Sequence, residues 1–141
     1  MTPDDTDKLE AGRETDALIA EKVMGWIWRA CPDTFRPGPP WCRWLTEPDR
    51  NLPKWDGVTE MRVDDLYDEE SSVLQYSTDI AAAWLVVEKI IASDIDFELE
   101  HRSPEWRAGY RYWNGDWNES ADGETPMLAI CRFALKAIAQ R

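Results

Sequence analysis

Two arginines and a tryptophan on one side of a predicted strand have the most evident chemical potential. Arg107, Arg111 and Trp113 occupy odd positions of an alternating segment, so in an extended chain they share a face. Two guanidinium groups beside an indole can clamp a phosphate and stack a nucleotide base. Alternatively, the arginines pair across strands with the acids of a neighbouring strand, Asp96, Glu98 and Glu100. The sequence leaves both interpretations open.

Two helix starts are further candidate sites for an anion. Ser77 and Thr78 precede one apolar helical run, and Thr125 precedes another that carries Arg132. The first N–H groups of a helix have no partner within it and can bind an anion. The alternative is plain capping by hydroxyl groups, and the charge of Asp79 opposes an anion at the first helix. The predicted ligand-binding set is Arg107, Arg111, Trp113, Ser77, Thr78, Thr125 and Arg132.

The residue types give little support for catalysis or for metal binding. The single histidine, His101, lies at the end of a predicted strand with no nucleophile motif, so no catalytic residue is assigned. The acids from Asp64 to Glu70 lack the spacing of an EF-hand loop and fit a solvated linker. We expect no enzyme activity, no cofactor and no metal site. The alternative is a metal-assisted hydrolase that uses these acids and responds to EDTA.

The composition indicates an acidic cytoplasmic protein. Sixteen Lys and Arg against 28 Asp and Glu give a net charge of −12. This charge disfavours duplex nucleic acid and anionic membranes as partners, because both bind cationic surfaces. A small anionic or nucleotide ligand held by local arginines is still compatible. We expect no leader or membrane segment, since no apolar run is long enough, and the three cysteines fit reduced thiols.

The nine tryptophans are a large aromatic content for 141 residues. Trp26 and Trp84 occur in apolar helical stripes, which favours the core. Tryptophans in Pro-rich surroundings fit either a functional loop or a satellite core. Among these, Trp41, Trp44 and Trp55 form a predicted partner-binding set, because aromatic residues are enriched in protein interfaces. The expected partner is another protein or a second copy, and we expect a homo-oligomer.

One helix is predicted in the N-terminal part of the chain. Residues 1–14 are polar and are expected to form a flexible acidic arm. Thr15 or Asp16 then caps a helix from Ala17 to Trp28, with an end favoured near Gly25.

A single domain is predicted for residues 15–141, with a Pro- and Trp-rich insertion at about 31–55. The prolines exclude a helix there and limit strands to short pieces. Trp41 to Leu45 and Trp55 to Val63 are the possible short strands.

A helix from Ile80 to Ala92 follows, with a hydroxyl cap at Ser77 or Thr78. Its predicted buried face consists of the stripe Ile80, Trp84, Val87 and Ile91, flanked by Ala83 and Ile90. Alternation then predicts two strands joined as a hairpin, from Ile95 to His101 and from Trp106 to Trp113.

The C-terminal segment is predicted to be a polar loop followed by a helix. The loop runs from Asn114 to Gly123, and the helix opens at Thr125 and Pro126 and continues to about Ala139. Its polar residues form one narrow ridge, Arg132, Lys136 and Gln140. Hairpin-linked strands and three apolar helices indicate an α+β domain with a mainly antiparallel sheet.

Several segments resemble the phage ABA sandwich domain family, which comprises small phage and prophage proteins. These segments are 17–26, 76–84 with 87–89, 124–126, 129–132 and 134–137, in the order of the family. The resemblance implies a three-layer α/β/α sandwich and a phage or prophage origin. It implies no general activity.

The leading hypothesis from the sequence is a non-catalytic binding protein of phage origin in a bacterial host cell. In its most specific form the protein antagonises host defence by sequestering a nucleotide-type immune signal at Arg107, Arg111 and Trp113. The second hypothesis is a protein–protein interaction module that binds a host factor or itself through residues 41–55.

Overall fold

The computed structural model describes residues 2–30, 43–46 and 73–139. The chain divides into two units, Met1–Met24 with Leu74–Arg141, and Gly25–Val73. The predicted insertion falls in the second unit. Most of that unit lies outside the described residues, including the possible strand from Trp55 to Val63 and the acids from Asp64 to Glu70.

The N-terminal residues begin with a short helix. Helix α1 spans Pro3–Asp7. Thr2 and Asp5 form a reciprocal capping box, in which each side chain accepts from the other residue's backbone N–H. These bonds hold the pKa of Asp5 below its ordinary value. Thr6 on the same helix is buried.

The next helix begins earlier than the sequence suggested. Helix α2 spans Arg13–Leu18 and continues as a π-helix over Ile19–Val23, with Gly12 at the N-cap. The prediction that Thr15 or Asp16 is the cap is wrong, because both residues lie within α2 and are buried. Their side-chain oxygens form hydrogen bonds with groups other than the first N–H groups of this helix.

The helix ends just before Gly25, as predicted, and does not continue to Trp28. Gly25 adopts φ 78°, a conformation that favours glycine and ends a helix. Strand β1, Ile27–Ala30, follows and pairs antiparallel with β2, Arg43–Thr46. The short strand predicted near Trp41 to Leu45 is thereby confirmed within these bounds. Trp26 is buried, as predicted.

Helix α3 spans Ile80–Ala92, and its N-cap is Asp79 rather than a hydroxyl. The Asp79 Oδ1 accepts from the Ala81 N–H at 3.1 Å. The predicted cap at Ser77 or Thr78 is therefore wrong, since Ser77 is buried in a different hydrogen-bond network.

The predicted buried face of α3 is correct for Val87, Ala83 and Ile90 and wrong for the other three residues. Trp84 is 51% exposed and Ile91 is 56% exposed, and Ile80 is exposed as well. The buried residues are Ala82, Ala83, Val86, Val87 and Ile90. Two of them are alanines, whose small side chains allow close approach of another helix. The sequence of α3 is apolar around most of its circumference, so periodicity alone does not identify the packed face.

Three antiparallel strands form the sheet of the first unit. They are β3, Glu98–Arg102, β4, Glu105–Arg111, and β5, Trp117–Gly123, in that spatial order. The predicted β3–β4 hairpin is confirmed. The polar loop predicted from Asn114 to Gly123 is wrong, since most of it is β5.

Small residues explain why β5 does not look like a strand in the sequence. Ala121 lies opposite Ala108 in the register and is buried with it. A Cβ on Gly123 would lie 2.6 Å from the backbone nitrogen of Ala129 in the next helix. The helix therefore approaches β5 at backbone distance, and large apolar side chains do not fit there.

Helix α4, Pro126–Ala137, is the centre of this unit. Thr125 caps it by accepting from the Leu128 N–H at 3.2 Å, and the predicted start is confirmed. Eight of its residues are buried. It contacts all three strands, and α1, the π-helix and α3 also pack on it. The α+β class with an antiparallel sheet is confirmed, whereas the three-layer α/β/α arrangement is not.

A buried polar network joins α2 to the segment before α3. The Ser77 N–H donates to Asp16 Oδ1 at 2.7 Å, and the Gly12 N–H donates to the Ser77 hydroxyl at 2.9 Å. Burial raises the pKa of Asp16 although its bonds to Ser77 act in the opposite direction. Burial, together with the charge of Asp16, also raises the pKa of the Cys131 thiol.

The network predicts a pH-dependent effect of Asp16→Asn. The folded state binds a proton at Asp16 more tightly than the unfolded state, so this group stabilises the fold below its ordinary pKa of 3.8. That stability is lost as the pH rises through the raised native pKa. Urea unfolding should show the wild type gaining stability relative to Asp16→Asn as the pH falls from neutrality. A pH-independent difference contradicts the prediction.

Asp16→Ala is the control for the hydrogen bond itself. It leaves the buried Ser77 N–H without its acceptor, and we expect a loss of about 1–3 kcal/mol at neutral pH. Asn keeps an acceptor oxygen, so Asp16→Asn should cost clearly less at that pH.

Candidate functional site

The predicted ligand face is the outward side of the three-stranded sheet. Glu100, Arg107 and Asp122 lie side by side across β3, β4 and β5 in the register. Arg111 lies opposite Trp117 at the end of the β4–β5 pair. We call the outward residues Glu98, Glu100, Arg107, Arg111, Trp117 and Asp122 the sheet face.

Arg107 is held by a carboxylate on β5. Its Nε donates to Asp122 Oδ1 at 2.7 Å, and its Nη2 donates to Asp122 Oδ2 at 3.1 Å. This bidentate pair holds the pKa of Asp122 below its ordinary value and raises that of Arg107. The sequence interpretation assigned β3 acids as partners because β5 was not recognised as a strand.

The guanidinium group of Arg111 forms three hydrogen bonds and one cation–π contact. Its Nε donates to Glu98 at 2.7 Å, its Nη2 to Glu100 at 2.9 Å and its Nη1 to the Gly115 carbonyl at 3.0 Å. The guanidinium carbon lies 4.1 Å from the centroid of the Trp117 ring. The predicted cross-strand ion pairing is confirmed for this arginine. A phosphate at the sheet face would have to displace these carboxylates.

Trp113 does not share the sheet face. Strand β4 ends at Arg111, and Trp113 lies in the turn that follows. The indole that stacks on the arginine belongs to Trp117 instead. The prediction extended the alternation two residues beyond the end of the strand and passed over Asn114-Gly115, a dipeptide typical of hairpin turns.

The turn between β4 and β5 presents two exposed aromatic side chains. Trp113 is 99% exposed and Tyr112 is 52% exposed. We call residues 112–116 the aromatic turn. Trp113 has the largest exposed fraction among the large apolar side chains of the described residues.

Hydrogen bonds fix the backbone of the aromatic turn. The Tyr112 N–H donates to the Asp116 carbonyl at 2.7 Å, and the Gly115 N–H donates to the Tyr112 carbonyl at 2.9 Å. The Asp116 N–H donates to the Asn114 side chain at 3.0 Å. Gly115 has φ 93°, which favours glycine at this position. The indole of Trp113 therefore projects from an ordered backbone.

A cleft beside α4 brings together two cations of the polar ridge. Its volume is about 260 Å³, and it is lined by Asp7, Ser120, Ala121, Asp122, Arg132 and Lys136. We call it the cationic cleft. Lys136 pairs with Asp7 at 2.6 Å and donates to the Ser120 carbonyl at 3.2 Å. Arg132 donates to two backbone carbonyls, at 2.9 Å to Leu9 and 2.8 Å to Asp122.

The remaining predicted site residues are not assembled with these. The Ser77 N–H is occupied by Asp16, Thr78 is exposed, and Thr125 caps α4. Trp41 and Trp55 lie outside the described residues, and only the backbone of Trp44 is described, in β2.

Residues suited to metal binding are not clustered in the part of the chain that the structure describes. His101 is exposed and lies against Trp106, with ring centroids 4.7 Å apart. Across residues 2–30, 43–46 and 73–139, no three His, Cys, Asp or Glu side chains are grouped so that they could hold a metal ion. The acids from Asp64 to Glu70 lie outside these ranges.

A family model of the phage ABA sandwich domain matches residues 17–135. The chain belongs to the phage ABA sandwich domain family. The resemblance carried by the helical segments is thus confirmed, and the chain is a phage protein of a small domain family.

A solved structure supports the fold of this family member. The 2.0 Å crystal structure of a phage protein from Bacillus cereus ATCC 14579 superposes with a TM-score of 0.52 and 22% sequence identity. The match covers 93% of this chain and 95% of that one, and at this identity it shows the fold alone. A search of curated proteins gives no match. Within the described residues, no helix is both long and apolar enough to cross a membrane.

In this ABA sandwich protein, sequence reasoning missed several residues of the sites, among them Trp117, Asp122 and Lys136. Trp117 and Asp122 were hidden because β5 reads as a polar loop. Lys136 was predicted to be part of the polar ridge but not to be a site residue. Its spacing of four from Arg132 places both side chains on one side of a helix and could have indicated a shared site.

Proposed function

We propose that this ABA sandwich protein is a non-catalytic binding protein that docks a protein partner through the aromatic turn. The observation that carries the proposal is the exposure of Trp113. This residue is 99% exposed to solvent, and it lies on a turn whose backbone is fixed by hydrogen bonds. Tryptophan is among the residues that dominate binding energy in protein interfaces.

The fixed backbone supports docking at the aromatic turn energetically. An indole and a phenol buried together remove a few hundred Å² from water, at roughly 150–250 Å² for each ring. Ordering a flexible loop on binding would offset part of this gain. Here the N–H groups of Tyr112 and Gly115 donate within the turn and the Asn114 side chain accepts, so the turn is already ordered before a partner arrives.

A phage origin makes a host protein the natural partner. In the most specific form of the proposal, the protein antagonises host defence by occupying a host factor in the bacterial cytoplasm. The Trp-rich segment at 41–55 and a homo-oligomer are further elements of the proposal, and light scattering of the purified protein tests the second.

Trp113→Ala is expected to weaken partner binding by about thirtyfold or more, equivalent to a hot spot of about 2 kcal/mol. Proteins captured from host lysate by wild type and variant would first be compared by quantitative mass spectrometry. The affinity of the purified partner would then be measured by calorimetry. Stability should change by less than about 0.5 kcal/mol, because the side chain has no packed surroundings.

Trp84→Ala is the matched control, since Trp84 is also an exposed tryptophan but lies on α3. It should leave partner binding unchanged. Equal losses for Trp84→Ala and Trp113→Ala would contradict docking at the aromatic turn.

The second candidate function is sequestration of a nucleotide-type anion, favoured by the cationic cleft. The bonds of Arg132 go to carbonyl groups, which leaves its charge without a carboxylate partner among the described residues. The cleft thus has one more positive charge than the Lys136–Asp7 pair accounts for. Asp122 also lines it, but its carboxylate is paired with Arg107.

Arg132→Gln is expected to weaken nucleotide binding by about tenfold, the effect of losing one charge-assisted contact. Titration of cyclic and linear nucleotides, followed by calorimetry, gives the affinity. Arg111→Gln tests the sheet face in the same assay and should have no effect if the cleft is the site. An absence of binding by every nucleotide rejects this candidate.

A further inference from the structure

Three carboxylates lie at the same end of the sheet as the aromatic turn or within the turn itself. Strand β3 begins at Glu98, which pairs with Gly109 near the end of β4. The chain just before β3 therefore lies at the same end of the sheet as the aromatic turn. That chain carries Asp94 and Asp96, and the turn itself carries Asp116; all three are exposed.

These carboxylates are not neutralised locally. Neither segment, 94–98 or 112–116, contains a lysine or an arginine. The neighbouring Arg111 is occupied by Glu98 and Glu100. Within the described residues, no ion pair involves Asp94, Asp96 or Asp116. We call these three residues the acidic rim.

We infer that the partner presents a Lys- and Arg-rich protein surface around a pocket that accepts the indole of Trp113. This inference rests on the proposed function and names the chemistry of the partner. An apolar anchor within a charged rim is the usual arrangement of a protein interface, in which the centre provides affinity and the rim provides steering.

The net charge of the whole chain also favours a cationic partner. A net charge of −12 attracts a cationic partner over a distance of about 8–10 Å at physiological salt. Close to the surface, the acidic rim directs the partner's cations to the turn rather than to other acidic regions. The rim should therefore govern the association rate, and the indole should govern the lifetime of the complex.

A library of random dodecapeptides displayed on a carrier tests the inference with the full-length protein. Peptides would be selected on the wild type and counter-selected on Trp113→Ala. We expect the peptides that depend on Trp113 to be enriched in Lys and Arg. Their affinity should fall by about tenfold between low and high salt.

A triple variant, Asp94→Asn, Asp96→Asn and Asp116→Asn, tests the rim directly. Asn tolerates the backbone of Asp94, whose φ is 59°. We expect this variant to bind the selected peptides about tenfold more weakly at low salt and equally at high salt. The matched control, Asp4→Asn, Glu14→Gln and Glu88→Gln, removes the same charge from exposed positions elsewhere and should retain most of the affinity.

The outcomes separate the inference from the proposed function. If no selected peptide depends on Trp113, docking at the aromatic turn is wrong. If Trp113-dependent peptides are neutral or acidic, the turn binds proteins but the inferred cationic partner is wrong. If the two triple variants lose affinity equally, only net charge matters, and the acidic rim is overturned.

Discussion

Phe133→Ala is expected to lower the free energy of unfolding by about 3–5 kcal/mol. Phe133 is fully buried on α4. Its ring lies 6.3 Å from that of Phe97 and 6.1 Å from that of Tyr110, measured between centroids. Truncation leaves a cavity between α4 and the sheet, because Tyr110 is fixed in β4 and Phe97 directly precedes β3. Urea unfolding followed by circular dichroism gives the change.

Phe133→Leu is the graded control and should cost clearly less, since it preserves most of the buried volume. Trp84→Ala should also cost clearly less than Phe133→Ala, because about half of the Trp84 side chain is already exposed. A loss below about 1 kcal/mol for Phe133→Ala would contradict the packing of α4 on the sheet.

Gly123→Ala is expected to destabilise the protein by about 1–3 kcal/mol, and Gly123→Val by more. A Cβ at this position would lie 2.6 Å from the Ala129 nitrogen and 3.1 Å from its Cα. Both atoms are backbone, so they cannot move aside as a flexible side chain does. The start of α4 or the end of β5 must shift instead.

Amide hydrogen exchange localises the effect of Gly123→Ala. Faster exchange should be confined first to β5 and the opening turn of α4. Asn118→Ala in the same strand is the control, because Asn118 is exposed and its replacement should be almost neutral. Equal exchange in Gly123→Ala and the wild type would show that the close approach is absent.

Strong local patterns predicted the elements that do not depend on tertiary context. The alternation from Ile95 to Arg111 gave the hairpin, and Thr125-Pro126 gave the start of α4. Strand β5 was missed because its inward residues are small where α4 comes close. Its sequence carries few of the β-branched and aromatic residues that mark strands, and only the assembled packing explains this choice.

The candidate site was less predictable than the fold. Arg107 and Arg111 were placed on the correct face, but one of their three carboxylate partners is on the missed strand. Trp84 was assigned to the core because α3 is apolar around most of its circumference. Trp113 was assigned to the sheet because a two-residue period cannot reveal where a strand ends. In both cases the sequence could not show whether the tryptophan is buried, and only its solvent exposure in the structure does.

The exposed side chain of the aromatic turn is independent of the packing that holds the fold together. The side chain of Trp113 contributes nothing to the core, while the backbone of the turn is held by its own hydrogen bonds and by Gly115. Substitutions at position 113 should therefore escape selection for stability. Under the proposed function, a phage lineage would be able to follow changes in a target by altering this position while the scaffold is kept.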